Sequence, residues 1–205
     1  MNRNQQQRDW IMMKIMSCTF FCLLLLCPSV TAADNTSAEA VLKRNIEAVF
    51  AVLKKKDLAQ ETKNKEIVDI VTPMFDFSLM AKLTLGKKNW SGLTAEQKEK
   101  FTRLFVNRLR TSYLNSLTLY TDEKILYEPP VEKNQKIHIP TYVVSKDKKI
   151  SILYKFYESD PDWKIYDLEI QGVSIIRSYR AQFDQILQTG TFEDLLVKLE
   201  KPNSE

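Results

Sequence analysis

Glycine is scarce in this chain, with four among 205 residues, and histidine occurs once. A glycine-rich loop able to wrap a phosphate is therefore not available. His138 has no cysteine or second histidine as a partner, so a metal site lacks its ligands. A Ser-His-Asp arrangement would need His138 as its base, and Pro140 beside it points to a sheet edge instead. The three cysteines, Cys18, Cys22 and Cys27, all lie in the opening segment. If that segment is removed, the remainder can form no disulfide and offers no thiol nucleophile or thiolate metal site. The apolar run there, Ile15 to Cys27, is about 13 residues, short of the roughly 20 that a spanning helix needs.

What the opening segment does have is the form of a secretory signal. Arg3, Arg8 and Lys14 make a basic start, the apolar run follows, and Val30-Thr-Ala32 and Thr31-Ala-Ala33 are small-residue cleavage sites. An uncleaved anchor is the alternative. Lipidation at Cys27 is rejected, because Leu24-Leu-Leu26 lacks the small residue wanted before such a cysteine. The expected division is a cleaved signal over 1–33 and a single domain over 34–205. Of the 30 basic and 26 acidic residues, the leader holds Arg3, Arg8, Lys14 and Asp9, leaving 27 against 25 and a net charge of +2. Near balance argues against nucleic acid as a partner.

Thr36-Ser-Ala-Glu39 has the capping-box pattern, and Leu42, Ile46, Val49, Phe50 and Leu53 form a helical stripe ending at Lys54-Lys-Lys56. A short helix is expected over Lys63 to Val71, and another from Pro73 to a stop at Gly86. Its Met74, Phe75, Phe77, Met80 and Leu83 are apolar on more than one side. Met80 and Leu83 are equally readable as core or as the lining of a ligand cavity. Thr94-Ala-Glu-Gln97 is a second capping box, opening the longest helix, to about Leu117. Phe101, Leu104, Phe105, Leu109, Tyr113, Leu117 and Tyr120 make its broad stripe, again core or lining.

After Tyr120 the period changes from 3.6 to 2. Lys124 to Glu128, Lys136 to Ser145, Lys149 to Tyr157 and Trp163 to Ile170 read as four antiparallel strands. The third is apolar on both faces, with Ile150, Ile152, Tyr154 and Phe156 one way and Leu153 and Tyr157 the other. In the fourth, strict alternation puts Trp163, Ile165, Asp167 and Glu169 on one face, and Lys164, Tyr166, Leu168 and Ile170 on the other. Gly172 ends that strand and Ser174 is placed to cap a helix carrying Ile175, Ile176, Tyr179 and Phe183. Phe192 to Leu199 forms the last helix.

Trp163-Lys-Ile-Tyr-Asp167, Gln171-Gly-Val-Ser174 and Tyr179-Arg-Ala-Gln-Phe183 together resemble the signature of the MlaC family, the toluene-tolerance auxiliary proteins. The likeness continues upstream through Leu85-Gly-Lys-Lys-Asn-Trp90, Thr94-Ala-Glu-Gln97 and Phe101-Thr-Arg-Leu-Phe105. With Tyr113, Leu117 and Tyr120 it covers essentially the whole secreted part. The resemblance implies an α+β fold in which helices wrap a strongly twisted four-stranded antiparallel sheet, as in nuclear-transport-factor-like folds, around an internal hydrophobic pocket. It also implies a monomeric periplasmic carrier, with bound phospholipid as cargo and no cofactor or metal. The carrier would move lipid between an inner-membrane ABC-type complex with a substrate-binding ring and an outer-membrane lipoprotein–porin complex. The toluene-tolerance name does not make solvent the cargo.

On that reading, the pocket candidates on the helices are Met80, Leu83, Phe101, Phe105, Leu109, Tyr113 and Leu117. Those on the strands are Ile152, Tyr154, Phe156, Tyr166 and Leu168, and those on the last turn and helix are Val173, Ile175, Ile176 and Tyr179. Gly172, Val173 and Ser174 form the candidate lip, because glycine can absorb a backbone change. Two rivals remain. One is a carrier of a hopanoid-like lipid. The other is an acid–base isomerase or lyase of the same architecture, with Asp167 as base and Tyr154 or Tyr166 as donor. Against the enzyme stands a plainer role for Asp167, a hydrogen bond to backbone or to an arginine such as Arg180.

Overall fold

The computed structural model describes residues 37–117, 123–145 and 148–201, and the side chains of 114–117 are outside that description. The expected leader, Thr36 and Tyr120 also lie outside the described residues. All described residues belong to one compact unit, Asn35–Glu205.

Helix α1 (Ala38–Leu53) begins at Ser37, whose hydroxyl accepts the Ala40 N–H at 3.2 Å, one residue later than the expected cap at Thr36. Helix α2 (Gln60–Val71) starts ahead of the expected Lys63, and a 3₁₀ turn over Thr72–Met74 accommodates Pro73. Asp76 then caps α3 (Phe77–Ser91), accepting the Leu79 N–H at 2.8 Å. Gly86 interrupts α3 rather than ending it. At φ 77° and ψ 154° it takes a conformation open mainly to glycine, after which the chain resumes its helix to Ser91. In α4 (Ala95–Leu117) the expected capping box is present in both directions. Thr94 N–H donates to Gln97 Oε1 at 3.0 Å and Gln97 N–H to Thr94 Oγ1 at 3.2 Å.

Among the described residues six strands follow: β1 (Lys124–Tyr127), β2 (Val131–Lys133), β3 (Lys136–Val144), β4 (Lys149–Ser159), β5 (Asp162–Ile170) and β6 (Val173–Ser174). They pair antiparallel in the order β1-β3-β4-β5-β6, with β2 on the far end of β3. The four expected strands are all there. The two additional ones have three and two residues, too short to display a period. Pro140 is in an interior strand, not at an edge. It falls in the gap where β1 has ended and β2 has not begun, and its carbonyl accepts the Glu128 N–H at 3.0 Å. Its missing N–H therefore leaves no ladder bond unmade. Ser174 caps α5 (Ile175–Thr189), and a reciprocal Thr191–Asp194 box opens α6 (Phe192–Glu200).

The β4–β5 register corrects the strict alternation expected for β5. Phe156 faces Ile165 and Lys155 faces Asp167, so Tyr166 has no partner and forms a bulge. One extra residue moves everything after it to the opposite face. Trp163 and Ile165 therefore share a face with Leu168, and these three pack together, while Asp167 and Glu169 turn to the other side with Lys155.

Three apolar clusters hold the described residues together. The largest is almost wholly helical, joining α3, α4, α5 and α6. A second lies between the sheet and α1 with Met74, and a third joins α1 to α2 through Val52, Leu53 and Ile67.

Candidate functional site

The helical cluster contains Met80, Phe101, Phe105, Leu109, Ile175, Ile176 and Tyr179, with Leu83 packed against it. Phe101 and Phe105 are fully buried, and rings enclose them. Phe101 meets Trp90, Phe105, Phe183 and Phe192 at centroid distances of 6.4, 6.2, 5.7 and 6.0 Å, and Phe105 meets Tyr179 edge-on at 5.3 Å. These contacts fill the space with side chains, and each pair adds about 0.5–1.5 kcal/mol beyond burial. Along the same stripe of α4 the packing loosens. Leu109 is 8% exposed, Tyr113 is 37% exposed, and the Leu117 side chain is outside the described residues.

The sheet shows the same gradation. Phe156, Ile139 and Ile165 are sealed under Ala38 and Leu42 of α1 and under Met74. On that face Phe156 is followed along β4 by Tyr154, Ile152 and Ile150, all half-buried, and β3 ends with half-buried Val143. Leu168 is the half-buried partner of Tyr154, and β1 adds half-buried Ile125 and Tyr127. Burial pushes the Tyr154 hydroxyl well above its ordinary range, although part of the side chain stays accessible. Burial first and then Glu47 push Tyr127 up to about 12. Both tyrosines therefore combine a low-dielectric setting with incomplete packing. Ile125, Tyr127, Val143 and Ile150 were not among the expected pocket residues. Their signal was the period-2 alternation of β1, β3 and β4, which puts Ile125, Val143 and Ile150 in one row and Tyr127 in the row of Thr141 and Ile152.

Two expected residues are not brought together with these. Tyr166, on the bulge, projects to the opposite face, where its hydroxyl is 3.3 Å from His138 Nε2 and its ring lies under Lys136 and against Tyr157. Val173 is 60% exposed on β6. Of the candidate lip, Gly172 has φ 78° with open space where a Cβ would be, whereas Ser174 is buried.

Asp167 is 6% exposed and saturated with donors. Its Oδ1 accepts the Ile176 N–H at 3.2 Å, and its Oδ2 accepts the Ser174 hydroxyl at 2.8 Å and the Lys155 ammonium at 3.0 Å. Lys155 also donates to Glu169 at 2.5 Å, and Arg177 reaches Glu169 at 3.2 Å. Burial lowers the Lys155 pKa, but its hydrogen bonds to Glu169 and Asp167 outweigh it and leave the ammonium favoured. Asp167 thus ties β4 and β5 to the start of α5. Its backbone bond is as expected, but the cation is Lys155 rather than Arg180, which lies along Gly86 and reaches Asp184 at 3.8 Å. Tyr154 is on the other face of the sheet, so it does not pair with Asp167 as an acid–base couple would require.

Among the described residues no cluster of three acidic, histidine or cysteine side chains could hold a metal ion. None of their helices is long and apolar enough to cross a membrane.

A family model described as MlaC protein matches residues 43–201, which is most of the chain. The chain belongs to the MlaC family. Among characterised relatives, the intermembrane phospholipid transport system binding protein MlaC of Haemophilus influenzae is 23% identical over 189 residues, spanning 85% of this chain and 86% of that protein. A solved structure of a phospholipid-binding protein from Ralstonia solanacearum, in complex with a phospholipid, superposes with a TM-score of 0.73. It is 24% identical and covers 80% of this chain and 95% of that one, so the mixed α+β fold is shared. The motifs at Leu85-Gly86, Thr94 to Gln97 and Trp163 to Phe183 all fall inside the MlaC match.

Proposed function

We propose that this protein is a periplasmic phospholipid carrier, exported by the segment 1–33 and acting through a single domain over 34–205. The observation that carries the reading is the graded sheet face. It is sealed around Phe156 and half-buried from Tyr154 to Ile150, and over that stretch β4 presents nothing polar on that side beyond the tyrosine hydroxyl. We place the acyl chains there, against Ile152, Tyr154 and Leu168, with Leu109 and Tyr113 of α4 as the helical side. Phe101, Phe105 and Phe156 then act as walls and not as direct lining. Membership of the MlaC family, with relatives named for phospholipid transport and phospholipid binding, supports the same cargo.

Such a carrier catalyses nothing and needs no cofactor. Burying a CH₂ group is worth roughly 0.8 kcal/mol, so two chains of about 30 carbons amount to on the order of 20 kcal/mol. Release into water is negligible at that cost, and the cargo must pass in direct contact with donor and acceptor. The fitting partners are an inner-membrane complex with a substrate-binding ring and an outer-membrane lipoprotein–porin complex. Gly172 to Ser174 is the candidate moving lip. Protein taken from the periplasm should yield about one phospholipid per chain by native mass spectrometry and lipid extraction. Recovery of lipid-free protein that takes up no phospholipid from vesicles would refute the carrier, and recovery of a polycyclic lipid would reassign its cargo.

A further inference from the structure

Between Asp76 and Glu96 the chain has no acidic residue, yet it carries Lys82, Lys87 and Lys88 on α3. None of these lysines has an ion-pair partner among the described residues. Arg180 of α5 is brought to the same place by the break in α3. Its guanidinium lies against the position of a side chain on Gly86, 3.1 Å from the Cβ position, and among the described residues only Asp184, at 3.8 Å, forms an ion pair with it. The break also leaves a surface pocket of about 290 Å³, lined by Lys82, Leu83, Gly86, Lys87 and Arg180. A water occupies about 30 Å³, so there is room for a phosphoryl group and the first atoms of its alcohol. Three of the five lining residues carry a cation, and most of the lining is apolar, as Leu83 and the long lysine and arginine stems would provide.

We propose that this pocket takes the phosphate of an anionic phospholipid headgroup presented by a membrane surface, and that it is the point at which the protein touches that membrane. The pocket is built from α3 and α5, and none of its polar groups belongs to the half-buried sheet face. The proposal therefore does not depend on what the interior carries. A single multivalent anion can satisfy all three side chains, whereas one carboxylate from Asp184 satisfies only the loose end of Arg180. Exposed cations near an anionic surface each contribute about fivefold to binding, screened by salt.

The test is cosedimentation of the purified protein with vesicles of phosphatidylcholine alone or with about a third phosphatidylglycerol. The protein with Lys82→Gln and Lys87→Gln is run in parallel. The protein should prefer the anionic vesicles, and losing two lysines should cut that binding about 25-fold, with Tm unchanged because both side chains are exposed. Raising the salt from 0.05 to 0.3 M should erode the preference. Binding that is equal for both vesicles, or equal for both proteins, overturns the proposal. Saturable binding of inorganic phosphate without a vesicle preference makes it a free-anion site and also overturns it. Lipid extracted from the same samples separates the two readings. Vesicle binding that follows the lysines, in protein that holds no lipid and takes none up from the vesicles, upholds this site while refuting the carrier.

Discussion

Replacing Asp167 by Asn is the substitution that most sharply separates a structural carboxylate from a catalytic one. Asparagine keeps an oxygen for the Ile176 N–H but puts an NH₂ group where Oδ2 now accepts from Ser174 and Lys155. Lys155 does not become an orphan charge, because Glu169 holds it at 2.5 Å. That keeps the loss below the roughly 3–5 kcal/mol of a fully broken buried pair. Ser174 can rotate its hydroxyl to accept from the new amide, but the same oxygen already accepts the Arg177 N–H at 3.1 Å as the helix cap. The net loss is one charge-assisted bond and a weakened cap, about 2–3 kcal/mol. For a domain of about 170 residues that lowers Tm by about 4–12 °C. Thermal and urea unfolding followed by circular dichroism measure this, and lipid content is read on the same samples. The expected result is a less stable protein that still carries lipid below its transition. A variant of unchanged Tm that has lost its activity would refute the reasoning and restore the acid–base rival.

Phe101→Ala, which empties a fully buried, ring-enclosed position, should cost about 3–5 kcal/mol with bound lipid retained in the folded fraction. Ile152→Trp should do the reverse, displacing lipid seen by mass spectrometry while changing stability by less than about 1.5 kcal/mol; retained stoichiometric lipid would move the cargo elsewhere. His138 is the sole histidine, so one imidazole signal in proton NMR reports its titration. Burial first, then Lys155 and Lys133, hold its pKa below 6.5, so protons favour the unfolded chain. Its contribution to stability is complete above about pH 6.5 and is lost as pH falls through the folded value; His138→Gln should flatten that slope in urea titrations. Gly172→Pro is a poor probe of the lip, because proline cannot reach φ 78° and would break the turn itself. Val173→Glu, at an exposed position, should leave Tm unchanged and slow lipid transfer between partners; unaltered transfer would remove the lip assignment.

The helices were legible because their signals are local. Thr94 and Gln97 are three residues apart and make the box that their spacing predicts, and the four long strands begin and end within two residues of their turn signals. What was not legible depended on pairing across the chain. Nothing in Trp163 to Ile170 announces a bulge; it exists because Phe156 and Lys155 select Ile165 and Asp167, and only the register shows it. Gly86 looked like a helix stop because a lone glycine after an apolar run usually is one. It is instead a kink, at φ 77°, and Arg180, 94 positions later, lies against the position where a Cβ would be.

The same limit explains why core and lining could not be told apart. Phe101 and Tyr113 belong to one stripe with one periodicity, and three turns of helix separate a sealed ring from one that is 37% exposed. For Phe101, α5 and α6 cover the turn with the rings of Phe183 and Phe192, whereas at the turn of Tyr113 α5 contributes the Tyr179 hydroxyl, 3.4 Å from Ser112 Oγ. A closed cluster confined mostly to helices has a physical consequence for a carrier. If the fold draws its stability from α3 to α6, the face around Ile152 and Tyr154 can stay incompletely packed without the domain depending on its cargo. The Phe101→Ala and Ile152→Trp pair is then expected to separate cleanly, with stability lost in one and cargo in the other. Both effects appearing together in each variant would mean that lipid is part of the folding core.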